Sequence, residues 1–107
     1  MEIKFNHNWN SKLGLPVFTT IRSFNECKLA YYQHNVDTLV KVTLNGVSKT
    51  PAYLVSAEKY YYDNLPFALL AADTGMVNPQ KIDELFKKFG ADDEVIVLTF
   101  SRSTTLV

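Results

Sequence analysis

The sequence predicts an α+β fold, a small β-barrel with two or three short helices, on three observations. Thr38-Leu39-Val40-Lys41-Val42-Thr43-Leu44 alternates polar and apolar with period two, Asn45-Gly46 supplies the two positive-φ positions of a type I′ turn, and Val47 to Ala57 returns as the partner strand. Glu94 to Arg102 is apolar at nearly every position of its middle, the pattern of a strand buried on both faces or central in a barrel. Two proline-opened stretches with helical character lie between these β segments.

Taken in order, Phe18-Thr19-Thr20-Ile21-Arg22-Ser23 is β-branched and aromatic and follows the turn-like Gly14-Leu15-Pro16, so it reads as a strand. In the hairpin, Val40, Val42 and Leu44 face the core, and Pro51 demands a bulge or an edge in the returning strand because it has no N–H to donate. Asn64-Leu65-Pro66 opens a short helix through Ala72. Asn78 caps a further helix with Pro79 at its first position; Ile82, Leu85, Phe86 and Phe89 recur at i, i+3, i+4 and i+7, and Gly90 ends it.

At 107 residues, 47% hydrophobic and with four Gly and four Pro, the chain reads as one globular domain over 1–107. A single Cys27 excludes an internal disulfide and a cysteine zinc cage. The longest apolar run, Phe67 to Ala72, is too short for a membrane span, which takes about 20 residues. Met1-Glu2-Ile3-Lys4 does not begin a signal sequence, so the expected location is cytoplasmic. No phosphate loop and no Gly-x-Ser-x-Gly elbow is present, and no cofactor is expected. Zero net charge hides a split: residues 1–50 carry +3 and residues 51–107 carry −3. The expected nucleic-acid contact is therefore local and modest.

Asp73-Thr74-Gly75 after Leu69-Leu70-Ala71-Ala72 resembles the catalytic triplet of retroviral-type aspartic proteases, which donate one carboxylate per chain to a shared-proton dyad. Only 32 residues follow Gly75, and they begin with a capped helix instead of a flap hairpin, so a helix ending in a turn is the better reading. His7 and His34 have no partner at metal-ligand spacing. Tyr31-Tyr32 and Tyr60-Tyr61-Tyr62, if extended, point successive rings to opposite sides, so one ring of each cluster faces solvent or a cleft and could stack on a base.

With Thr20-Ile21-Arg22 on an early strand, the Asp73-Thr74-Gly75-Met76 turn, the helix Ile82 to Phe89 and the strand Val95 to Phe100 in that order, the chain resembles the ASCH domains of the PUA-like superfamily from about Phe18 to Arg102. The resemblance implies a barrel whose cleft binds RNA or a nucleoside. Some members are amidohydrolases acting on N4-acylated cytidine with a Lys, a Thr and an acid. Thr20 stands at the Thr position and Asp73 at the acid, but Val17 stands where the family has its Lys, and Lys12 is the nearest lysine.

The expectation is thus a nucleotide- or RNA-binding module without hydrolase activity, with Thr20, Arg22, Asp73, Lys12 and Tyr31 at the ligand. Arg22 offers a five-donor fork for phosphate, Thr20 a hydroxyl on the same strand face, and Asp73 an acceptor for an exocyclic amine. A structural reading of Arg22 is a buried pair with Asp73 that closes the barrel. The alternatives are an N4-acylcytidine-type amidohydrolase using Thr20, Asp73 and Lys12, and a small interaction or inhibitor protein that meets a protein partner through Tyr60 and Tyr61.

Overall fold

The computed structural model describes residues 1–6, 13–74, 76, 78–88 and 94–102. Lys12, Gly75, Phe89 and Gly90, all named above, lie outside the described residues, as does His7. Among the described residues the elements follow in chain order as β1 (Glu2–Phe5), β2 (Val17–Ser23), α1 (Glu26–His34), β3 (Leu39–Leu44), β4 (Val47–Tyr61), α2 (Phe67–Thr74), α3 (Pro79–Lys88) and β5 (Glu94–Ser101), with a 3-10 turn at Tyr62–Asn64.

The fold is mixed α+β: the strands form one five-stranded sheet in the order β1-β3-β4-β5-β2, curled into a half-barrel. The hairpin forms as its sequence dictates. Asn45 and Gly46 take φ of 51° and 81°, the left-handed pair of a type I′ turn. The 15-residue β4 pairs with β3 through its first half and with β5 through its second, and a register shift interrupts each ladder. The first shift sets Thr50 and Pro51 against Lys41 alone, which is how an internal strand accommodates a residue with no N–H. The second leaves Val55 as the extra residue. Both bulges add twist, and so curl the sheet.

Its inner face carries the main core: Ile3, Phe5, Phe18, Val40, Val42, Ala52, Leu54, Ala57, Ile96, Leu98 and Phe100, drawn from all five strands, with Leu13 from the segment before β2. Phe100 stacks on Phe18 at 5.1 Å between centroids, and Phe18 meets Phe5 edge-on at 6.2 Å. On the outer face Val95 and Val97 of β5 pack with Leu65, Ile21, Leu69 and Leu70 beneath α2. β5 is therefore covered on both sides, as its unbroken apolar run requires.

Two elements depart from the sequence reading. β1, short and parallel to β3, is one. The other is α1, so that Tyr31 and Tyr32 are helical and not extended. Asn25 caps α1, its Oδ1 accepting from the amides of Cys27 (2.9 Å) and Lys28 (3.1 Å). No residue of α1 is fully buried; Leu29 and Tyr32 rest on the inner-face core, and Gln33 donates to the Ala57 carbonyl at 3.3 Å. The returning strand also runs four residues past Ala57, to Tyr61. α3 begins at Pro79, with the Gln80 amide donating to Asn78 Oδ1 at 3.0 Å. Among the described residues no helix is long and apolar enough to cross a membrane.

Candidate functional site

Strand alternation decides which of the expected residues meet. On β2, Phe18, Thr20 and Arg22 stand opposite Phe100, Leu98 and Ile96 of β5, all inner-face residues. Val17, Thr19 and Ile21 take the outer side. Thr20 and Arg22 accordingly share a face: Arg22 Nε donates to Thr20 Oγ1 at 3.2 Å.

The two edge strands approach each other here. In β1 the Met1 and Phe5 carbonyls accept from the β3 side, from the amides of Lys41 and Asn45, so the carbonyl of Lys4 points away from β3 to the open edge. Arg22 Nη2 donates to it at 3.0 Å, and the guanidinium carbon lies 4.8 Å from the centre of the Phe5 ring. Arg22 thus ties the two free edges of the half-barrel together through its side chain. A second arginine binds the opposite end of this aromatic row: Arg102 lies 5.0 Å over Phe18 and donates to the carbonyls of Leu15 and Thr50.

Arg22 is half-buried, and burial pushes it below its ordinary range, opposed by the fields of Tyr32 and Asp73. It stays protonated throughout the physiological range. Among the described residues no carboxylate lies within ion-pair distance of it. A hydroxyl, a carbonyl and an aromatic face stabilise the cation without neutralising it.

The alternative structural reading of Arg22, a buried pair with Asp73, is not what forms. Asp73, 2% exposed at the end of α2, accepts from Thr19 Oγ1 at 3.2 Å on the outer side of β2. Thr19 and Thr20 are consecutive, and one step along a strand reverses the face, so Asp73 and Thr20 lie on opposite sides of the sheet. Val17, at the position of the family's lysine, is 50% exposed and on the outer side. Asp73 and Thr74 close a helix, where a protease triplet follows a strand; Thr74 Oγ1 donates back to the Leu70 carbonyl at 2.8 Å and accepts from the Met76 amide at 3.2 Å.

Tyr31 is 54% exposed on α1, its ring 6.1 Å from that of Tyr32. Tyr60 and Tyr61 part company by the same alternation. Tyr60 stands opposite Val95 on the outer side and donates to Glu58 at 2.8 Å, whereas Tyr61 stands opposite Glu94 on the inner side. A surface using both rings would have to wrap around the end of β4.

Lys59 belongs to no motif of the sequence. It stands opposite Ile96, the same residue that faces Arg22 from the other flank, so the row across β2, β5 and β4 reads Arg22, Ile96, Lys59. Lys59 Nζ lies 4.7 Å from the centre of the Phe24 ring, 5.4 Å from that of Tyr61 and 3.3 Å from Glu94 Oε1. Nothing in local sequence signals this row, because it depends on β5 lying between β2 and β4. Among the described residues no group of three or more His, Cys, Asp or Glu could hold a metal ion.

Comparison of the chain with protein-family models, with curated proteins and with solved structures finds no match in any of the three.

Proposed function

We propose that this chain is a binding module for a nucleotide or a short RNA segment, without hydrolase activity, and that Arg22 is its phosphate contact. The observation that carries the reading is the half-buried Arg22 cation, oriented by Thr20 Oγ1 and the Lys4 carbonyl on the inner face, with no carboxylate in ion-pair range among the described residues. A guanidinium with its charge uncompensated suits an anionic oxygen, which supplies the missing counter-charge in charge-assisted hydrogen bonds. Thr20 then acts as a positioning residue through Nε.

The PUA-like, ASCH-type identity of the half-barrel belongs to the same reading, supported by the order of Thr20 and Arg22, Asp73, α3 and β5 along the chain. A cytoplasmic setting goes with it, since the exposed free Cys27 suits a reducing compartment. Hydrolysis is left out because Asp73 and Thr20 occupy opposite faces and Val17 has no amine.

The test is a titration of labelled single-stranded RNA and of free nucleotides with wild type and Arg22→Gln, after thermal unfolding has verified that the variant folds. Saturable binding to wild type, weakened by about 1–3 kcal/mol in the variant, is expected. No saturable binding to either ligand class contradicts the reading.

A further inference from the structure

Past Tyr53, β4 loses its neighbour on one side. Its ladder with β3 ends at Leu39 and Tyr53, and the Leu54 amide and carbonyl still bond to Thr38 and Asp37, whereas its ladder with β5 continues to Tyr61 and Glu94. The Ala57 carbonyl points to the open side, where Gln33 of α1 donates to it at 3.3 Å. Residues two apart on a strand direct their backbone groups the same way, so the amides and carbonyls of Lys59 and Tyr61 face that side too, and among the described residues no strand pairs with them there. Glu58 to Tyr61 are exposed throughout, Tyr60 at 38% and Tyr61 at 54%. A bare edge of this kind is a template for an added strand. Such a strand sends its own side chains alternately to both faces, so it meets Tyr60 on the outer side and Tyr61 on the inner side at once.

We infer that the occupant is a second copy of this chain, whose β4 end adds antiparallel to this edge with Tyr60 opposite Tyr60 across a two-fold axis. The edge itself selects that register. Centring the pair on Lys59 sets like charges opposite each other, and its next bonds need the Ala57 carbonyl that Gln33 already holds. Centring it on Tyr61 carries Lys59 against Asp63, which lies in the 3-10 turn and is not extended. Centred on Tyr60, Lys59 stands opposite Tyr61 of the second copy, and the amide and carbonyl of each find partners. Lys59 Nζ, already 5.4 Å from the ring of its own Tyr61, gains a second aromatic neighbour. The Tyr60 hydroxyl is held by Glu58 at 2.8 Å, and the two Tyr60 rings meet on the outer side as a close, non-hydrogen-bonded pair. Charged residues on an edge usually keep strands apart. In this register they do not oppose, because Glu58 falls against Tyr62 and Lys59 against Tyr61. The contact is short, so the self-association it supports is weak, on the order of 0.1–1 mM.

The experiment is sedimentation equilibrium of the full chain, from well below to above that concentration range, for wild type and Tyr61→Pro. Proline suits the position: Tyr61 has φ of −81°, and its amide faces the open edge, so no bond to β5 is lost. Wild type is expected to form dimers, and Tyr61→Pro, which removes one donor from each copy, to weaken them at least about tenfold with its thermal unfolding little changed. The register is read by oxidation of Tyr60→Cys and of Lys59→Cys, each in a Cys27→Ser background. Tyr60→Cys is expected to yield a disulfide-linked dimer and Lys59→Cys is not, and this pair of variants decides the matter by itself should Tyr61→Pro unfold. A wild type that stays monomeric throughout overturns the inference and leaves the edge to a different protein's strand. Association that Tyr61→Pro does not move, or cross-linking through position 59 in preference to 60, overturns it as well.

Discussion

Thr19 and Thr20 are chemically identical neighbours with opposite fates. Thr19 serves a buried carboxylate beneath α2, and Thr20 serves a guanidinium on the inner face. Replacing either hydroxyl by a methyl of the same shape separates the roles. Thr19→Val withdraws a donor from Asp73 and is expected to lower the unfolding free energy by about 1–3 kcal/mol with no effect on ligand affinity, since the outer face is not at the site. Thr20→Val removes the acceptor of Arg22 Nε; it is expected to cost about 1 kcal/mol in stability and, in addition, to weaken RNA binding, because the guanidinium loses its orientation. Urea unfolding and the same RNA titration read both quantities, and equal binding losses in the two variants would contradict the assignment of faces.

At the scale of elements, strands and helices with strong periodicity were legible. β2, the β3–β4 hairpin, α3 and β5 occur where their residues place them, because each carries either an alternating face or a proline and cap at its start, whereas α2 begins after Pro66, at Phe67, and runs two residues past Ala72 to Thr74. α1 was not legible, since it has no fully buried residue and no apolar stripe; its firmest local signal is Asn25. Asn25→Ala is therefore expected to destabilise the protein by about 1 kcal/mol and to loosen α1, and with it Tyr32 near Arg22, which amide exchange along Glu26–His34 would register. β1 was equally silent: four residues, paired parallel to a strand far along the chain, need a partner that local pattern does not name. For the site, the Thr20 and Arg22 face followed from spacing alone. The parting of Asp73 from them, and the arrival of Lys59, depend on which face α2 covers and on strand order. No local rule encodes either.

Across the whole molecule, a five-stranded sheet that curls without closing has to manage two bare edges. Side chains do so here. Phe5 packs edge-on to Phe18, and Arg22 spans from β2 to the Lys4 carbonyl, so the seam of the half-barrel is also where the uncompensated charge sits. On the proposed reading stability and ligand binding share one residue, and loss of binding in Arg22 variants has meaning only beside their unfolding curves. The most direct test leaves the residue in place: backbone and arginine side-chain resonances of the wild type are followed by heteronuclear NMR while a short single-stranded RNA is added. Saturable shifts of Arg22 Nε and of the amides of Thr20 and Arg22, with Thr19, Asp73 and Val97 unmoved in proportion, are predicted. Shifts confined to the outer face beneath α2, or none at any concentration, would contradict the assignment of the inner-face arginine as the binding centre.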